Sequence, residues 1–311
     1  DLEPLPMKTF LVVNPRSAGG ETGKRWAEIS GQVTRAIGDF GFGFTERAMD
    51  AVRLTRDALA DGYECIAAVG GDGTINEVVN GFFAEGKAIN PNAALGLIPR
   101  GTGGDFRRAF GWELDLDSAL TRLRTDKTEP FDVGLVEYVN HQGQKESRYF
   151  ANIASFGVSA AVAHEVNIGS KALGGNLSFL WGTVKTMAKY KDRRVRLRVD
   201  GGAPEELDIT VVAASNGRYF GSGMCVAPKA VTHDGMFDLT IWHDYGLSDF
   251  IIKSKGVYNG DHITWNKTRY LQCRTLEAES DQEVLLEMDG EVPGKLPCRV
   301  SILPGAIRLK V

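Results

Sequence analysis

Three short apolar runs each end in a glycine-rich loop, and this repeat limits the fold more than any other feature of the chain. The runs are Lys8–Asn14 (KTFLVVN), Tyr63–Val69 and Ala94–Ile98. The loops that close them are Asn14-Pro15-Arg16-Ser17-Ala18-Gly19-Gly20, Gly70-Gly71-Asp72-Gly73-Thr74, and Pro99 to Asp105. A short apolar run closed by turn residues reads as a buried strand. Between the runs lie helical patterns. Residues 23–38 carry Trp26, Ile29, Val33 and Ile37 on one face, residues 49–60 repeat the pattern, and residues 75–83 follow the second loop. Phe42–Thr45 adds a further short strand. Strands that alternate with helices imply a parallel sheet covered on both faces, with ligands bound beyond the carboxyl ends of the strands. All three loops fall at those ends.

The pattern changes near residue 130. Segments 131–139, 148–155, 193–199, 207–214, 236–243, 269–275, 283–288, 298–302 and 306–310 read as strands, with helices expected at 158–165, 176–190 and 247–254. Turn residues separate these segments, so the expectation is an antiparallel β-sandwich. The fold class is therefore α/β with two domains: a nucleotide-binding domain over 8–130 and a β-sandwich over 131–311. The sequence leaves open whether the last strand returns to the first domain.

Composition excludes several classes. A net charge of −4 gives no footprint for nucleic acid. The basic cluster Lys189, Lys191, Arg193, Arg194, Arg196 and Arg198 has two readings, a solvated face and an attraction to anionic lipid headgroups. The four cysteines, at 65, 225, 273 and 298, form no paired spacing, and the five histidines form no metal spacing. No segment has the roughly 18 apolar residues of a membrane span. Residues 1–6 lack the regions of a secretory signal. The expectation is a cytoplasmic protein whose membrane contact, if any, is peripheral and reversible. Oligomeric state is open.

The chemistry of the loops is that of anion binding. Three glycines within Gly70–Gly73 leave backbone N–H groups uncovered beside a helix start, which suits phosphate. Asp72 would repel phosphate and is better suited to magnesium; the bland alternative is a tight turn. Asp105 repeats this placement in the third loop, where it could equally cap a helix. In the first loop, Asn14 and Ser17 could brace a nucleotide. Late in the chain, Met288-Asp289-Gly290-Glu291 places two acids around a glycine. A carboxylate there could take a proton from a hydroxyl, although Asp-Gly is also an ordinary hairpin turn. Asp234, before the strand at 236–243, could bind a hard cation or simply make a turn.

Taken together, VNPRSAGG (13–20), GGDGTINEVVNG (70–81), IPRGTGGDF (98–106), FDVG (131–134) and MDGE (288–291) resemble the bacterial diacylglycerol kinase catalytic-domain family, related to sphingosine and ceramide kinases. The resemblance runs from Phe10 to Val311. It implies an ATP-dependent lipid kinase with its active site between the two domains. Asn14, Ser17, Gly71, Gly73, Thr74 and Thr102 would surround ATP, and Asp72, Asp105 and Asp132 would join a magnesium and water network. Asp289 would be the general base for a lipid alcohol, with Glu291 assisting. Asp234 and the carbonyls of Val231 and Met236 would form a structural magnesium site. One departure is Gly104, where the family usually has Asn. The competing readings are an NAD kinase and a nucleotide-binding regulatory module without catalysis. Phe156, Phe179, Leu180 and Trp181 are candidates either for a lipid tail or for core packing.

Overall fold

Each apolar run becomes a strand because its side chains have helices to meet on both faces. The computed structural model describes residues 7–101, 104–168 and 183–311, apart from the side chains of 167 and 168. The chain divides into two compact units, residues 1–133 with 305–311 and residues 134–304.

The first unit contains β1 (Thr9–Val13), α1 (Glu21–Lys24), α2 (Trp26–Ile37), β2 (Gly41–Phe44), α3 (Asp50–Ala60), β3 (Cys65–Gly70) and α4 (Asp72–Gly81). A small hairpin of β4 (Phe83–Ala84) and β5 (Lys87–Ala88) precedes β6 (Ala94–Pro99), α5 (Asp105–Ala109) and α6 (Leu116–Arg124). Strands β6, β3, β1 and β2 lie side by side in that order, all parallel. Residues Arg308 and Leu309, near the end of the chain, extend this sheet parallel to β6. Ile29, Val33 and Ile37 of α2 and Ala119, Leu120 and Leu123 of α6 bury against Leu11, Val13, Cys65, Ala67, Val69 and Ile98. Helices α3 and α4 pack on each other and on β1 and β3.

The second unit is antiparallel. It contains most of β7 (Thr128–Asn140), then β8 (Lys145–Phe150), β9 (Ile153–Gly157), α7 (Val158–Ile168), β10 (Arg193–Val199), β11 (Glu205–Ile209) and β12 (Val211–Ser215). After these come β13 (Phe237–Trp242), α8 (Leu247–Asn259), β14 (Thr268–Cys273), β15 (Thr275–Glu279), β16 (Leu285–Met288) and β17 (Glu291–Lys310), whose last residues belong to the first unit. Strands β14-β13-β12-β9-β16 form one layer, while β11-β10-β15 and β7-β8 join through β17. Phe150, Phe156, Leu197, Phe237, Leu239, Leu276, Leu286 and Val300 share the core of the sandwich. A second core lies between β9, β12 and β13 and the helices α7 and α8, around Ile153, Val162, Val211, Ala213, Trp242 and Val257.

The boundaries depart from the sequence expectation in physically readable ways. The strand expected at 148–155 is broken at Ala151 and Asn152, whose amides are used by a distant carboxylate. The strand expected at 207–214 breaks at Thr210, whose N–H donates to the Trp242 carbonyl while its own carbonyl accepts from Val158. Segments 298–302 and 306–310 are one strand, β17. Strand β15 was not separable in sequence because its outward positions, Glu277 and Glu279, are acids whose arginine partners lie on other strands. The helix expected at 247–254 runs on to Asn259. Of the helix expected at 176–190, residues 176–182 lie outside the described residues, and residues 183–187 are helical.

The basic stretch on β10 is a solvated, ion-paired face. Arg194 makes a two-pronged contact with Asp208, and Arg196 bridges Glu206 and Glu279.

Candidate active site

Three loops converge at the carboxyl ends of β1, β3 and β6. The Asn14 N–H donates to the Val69 carbonyl (3.0 Å), and its Nδ2 donates to Thr74 Oγ1 (3.3 Å). Arg100 N donates to the Gly70 carbonyl (2.8 Å), tying the third loop to the second. Ser17 Oγ donates to the Asn14 carbonyl (2.8 Å) and lies 2.7 Å from Thr22 Oγ1, which also accepts from Arg100 Nε (3.3 Å). Ala18, Gly19 and Gly20 follow with positive φ values of 52°, 66° and 91°. Such a run of left-handed residues turns the chain sharply before α1.

Helix α4 starts at Asp72, three residues before the helical pattern expected over 75–83. The extended Gly71 acts as its cap, and its carbonyl accepts from Thr74 and Ile75. The glycines here have separate roles. A Cβ on Gly70 would sit 2.3 Å from Thr74 Oγ1, so glycine is required by packing. A Cβ on Gly73 would meet nothing within 4 Å among the described residues, so this face of the helix start is open to them.

Asp72 is not a free acid. Its Oδ2 accepts from the Asp105 amide (3.0 Å) and its Oδ1 from the Phe106 amide (3.2 Å). It thus caps α5, satisfying donors that a helix start leaves unpaired. Asp105 is buried and pairs with Arg108 Nη1 at 2.8 Å. Asp132 is also buried, and its Oδ1 accepts from Gly305 N (2.6 Å). Gly104 takes φ +65° as the cap of α5. This is the left-handed region that Gly favours and Asn tolerates better than most residues. The departure at 104 therefore keeps the backbone conformation while deleting an amide side chain. Thr102 lies outside the described residues.

In the second unit, Asp289 and Gly290 form the two-residue turn between β16 and β17, with φ values of 48° and 93°. Both left-handed positions fit the turn type preferred in tight hairpins. The side chain does more than complete the turn. Asp289 Oδ1 accepts from Asn152 N and Ile153 N (3.0 Å each), and Oδ2 accepts from Ala151 N (2.8 Å). Sequence reasoning missed its neighbour Glu287. This buried carboxylate accepts from Ser155 Oγ and from Gly290 N, both at 2.5 Å. The signal available was a lone acid in an otherwise apolar strand, Leu285-Leu286-Glu287-Met288. Glu291 is exposed at the start of β17.

Asp234 forms a side-chain turn: Oδ1 accepts from Met236 N (3.0 Å), and Oδ2 lies 3.4 Å from Gln272 Nε2. Val231 is three residues earlier and exposed. Nearby Asp238 is buried, with the side chains of Tyr270 and Gln272 beside its carboxyl. Burial pushes the Asp238 carboxyl above its usual range, and the proximity of Asp234 adds to this. Among the described residues, no three His, Cys, Asp or Glu side chains converge as a metal cage. Phe156 packs in the sandwich core, whereas Phe179, Leu180 and Trp181 lie outside the described residues. Burial pushes the thiols of Cys65 up to about 11 and of Cys273 and Cys298 up to about 12, which removes them as nucleophiles at neutral pH. No helix among the described residues is long and apolar enough to cross a membrane.

Both units are similar to known proteins. The family model of the diacylglycerol kinase catalytic domain matches residues 8–136, and that of the YegS C-terminal NAD kinase beta sandwich-like domain matches residues 152–311. The chain is 30% identical over 289 residues to a diacylglycerol kinase of Staphylococcus haemolyticus, covering 92% of this chain and 83% of that one. It is 28% identical to a diacylglycerol kinase of Bacillus subtilis over 289 residues, covering 92% and 90%. A crystal structure of a diacylglycerol kinase from Bacillus anthracis superposes with a TM-score of 0.70 at 20% identity, over 98% of this chain and 96% of that one, a likeness of fold alone.

Proposed function

The chain belongs to the bacterial diacylglycerol and lipid kinase family and is an ATP-dependent lipid kinase; we propose diacylglycerol, or a lipid alcohol close to it, as the acceptor. The observation that carries the site assignment is the cross-tied set of loops, with Asn14 on Thr74 and Arg100 on Gly70, around an open helix start at Gly73. Backbone N–H groups at such a start favour phosphate oxygens.

In this reading Asn14, Ser17, Gly71, Gly73, Thr74 and Thr102 hold ATP. Asp72 keeps lone pairs beyond the two it gives to α5, since an ionised carboxylate offers about four. An oxygen-only donor set of one or two carboxylates with nucleotide phosphates fits magnesium. Asp72, which caps the helix that Asp105 starts, would hold it together with Asp105 and Asp132, and the ion when bound would offset phosphate charge. Asp234 with the carbonyls of Val231 and Met236 is the second candidate site, an oxygen-only set that suits a hard cation.

Asp289 takes the proton of the lipid hydroxyl as that oxygen bonds in line to the γ-phosphorus, whose bond to the bridging oxygen breaks to release ADP. The amides of Ala151, Asn152 and Ile153 orient its carboxylate. Glu287 fixes the turn that carries it, and Glu291 assists.

The test is transfer of radiolabel from ATP to a panel of lipid alcohols, with NAD in parallel. Label in diacylglycerol or a near relative is expected. Label in NAD alone would support the NAD kinase reading, and ATP binding without transfer to any acceptor would support a regulatory module.

A further inference from the structure

Helix α8 is apolar on its outer side as well as on its inner one. Its inner side packs Phe250 and Val257 against the second-unit core, beside Tyr245 and Trp265. Its outer side carries the two most exposed large apolar side chains of the described residues, Ile251 at 60% and Ile252 at 79%, with Tyr258 at 43%. At about 100° per residue, Ser248, Ile251, Ile252, Lys255, Tyr258 and Asn259 fall within an arc of about 120°. Single exposed hydrophobes are ordinary; adjacent isoleucines joined by a tyrosine on one stripe are a patch.

The charges around this patch identify its occupant. The exposed arc contains no acid. Lys255 lies within it, exposed and without an ion pair among the described residues. The acid of the first turn, Asp249, is on another face and is neutralised by Lys253 and Lys267, each at 2.8 Å. Lys253 also lies over the rings of Tyr245 (5.7 Å) and Trp265 (5.5 Å), which anchors it beside the helix. Arg194 and Arg196 of β10, by contrast, are neutralised by Asp208, Glu206 and Glu279. The α8 face therefore joins apolar side chains to uncompensated positive charge. Three side chains offer an area on the order of 300 Å², well below the roughly 800 Å² per partner of a stable protein interface.

We propose that the outer face of α8 is a membrane-docking surface, with Ile251 and Ile252 entering the headgroup boundary of a bilayer and Lys255 meeting anionic lipid. The combination of isoleucines, an aromatic ring and lysine is that of helices lying in the plane of an interface. The proposal rests on the lipid kinase reading, because a kinase whose acceptor is held in a bilayer must reach that surface.

The test is sedimentation with vesicles of phosphatidylglycerol and phosphatidylcholine, alongside phosphoryl transfer to vesicle-held and to short-chain, monodisperse diacylglycerol. Ile251→Gln with Ile252→Gln should weaken vesicle binding at least tenfold and slow transfer to the vesicle-held lipid. Its rate on the short-chain lipid and its melting temperature should match those of the parent. Lys255→Glu should weaken binding to the anionic vesicles only, leaving the residual binding to pure phosphatidylcholine unchanged. Parental vesicle affinity in the double variant would overturn the proposal, as would a dimer in the parent that the double variant dissolves. If the parent binds vesicles but phosphorylates no lipid in either form, the kinase reading fails while the docking surface stands.

Discussion

Asp289→Asn is the substitution by which chemistry and architecture can be separated at the candidate base. The wild-type carboxylate accepts three backbone amides, two on Oδ1 at 3.0 Å and one on Oδ2 at 2.8 Å. An asparagine amide has one acceptor oxygen, and its nitrogen only donates. With its oxygen on the Asn152–Ile153 side, its NH₂ group opposes the Ala151 amide. That leaves one buried donor unpaired, at about 1–3 kcal/mol, and weakens two charge-assisted bonds to neutral ones. Because Asp289 is only half-buried, about 2–3 kcal/mol in total is a fair figure. For a unit of this size each kcal/mol lowers the midpoint by about 2–4 °C, so the second unit should melt about 5–10 °C lower. Loss of a general base should cost about 10²–10⁴-fold in transfer, measured well below that midpoint. ATP affinity by calorimetry should stay within about twofold, because the nucleotide loops are in the first unit. Calorimetric unfolding within a degree of the parent would refute the energetic role of the three amides, and retained transfer would refute the role of Asp289 as base.

Three further outcomes follow from the geometry. Gly70→Ala should destabilise the first unit by about 1–3 kcal/mol through its clash with Thr74, whereas Gly73→Ala should keep the melting temperature and weaken ATP binding, as read by thermal unfolding with calorimetry. Gly104→Asn should preserve the fold, because φ +65° suits both residues, at a cost of about 1 kcal/mol as its Cβ, 2.8 Å from Arg107 Nε, displaces that side chain, and should keep transfer within about threefold of the parent; Gly104→Val should lose both in the same assays. His262 is buried and held neutral, accepting from Trp242 Nε1 (3.2 Å) on Nδ1 and facing the Cys225 carbonyl (2.9 Å) with Nε2; burial keeps its pKa below the usual 6.5. Its stabilising contribution should be complete above about pH 6.5 and fall as pH drops below that, so urea midpoints at about pH 7 and 5 should differ less in His262→Phe than in the parent.

The alternating strands and helices of residues 8 to 110 were legible because local periodicity and turn chemistry both point to them. In Lys8–Asn14 every strand residue from Phe10 to Val13 is apolar, and the Asn-Pro that follows allows no continuation. The sandwich was less legible wherever partners distant in sequence determine the structure. The break at Ala151 follows from a carboxylate 138 residues away, and β15 is held by arginines on β10 and β17. The same limit applied at the site. The spacing marked Asp72 as an acid beside phosphate, but its capping of α5 depends on amides 33 and 34 residues later. Glu287 was hidden for a different reason: it looks like an interruption of an apolar strand until the Gly290 amide folds back onto it.

The first unit is discontinuous in sequence. Its sheet is completed by Arg308 and Leu309 beside β6, with Ile307 and Lys310 buried as well. A ribosome making this chain releases the nucleotide-binding segment long before the strand that closes it. Until that strand emerges, β6 offers an open apolar edge, the kind of edge that pairs with other chains. The newly made protein therefore has an interval of vulnerability that lasts until residues 307–310 have been made, and a fragment cut at residue 133 would remain in that state permanently.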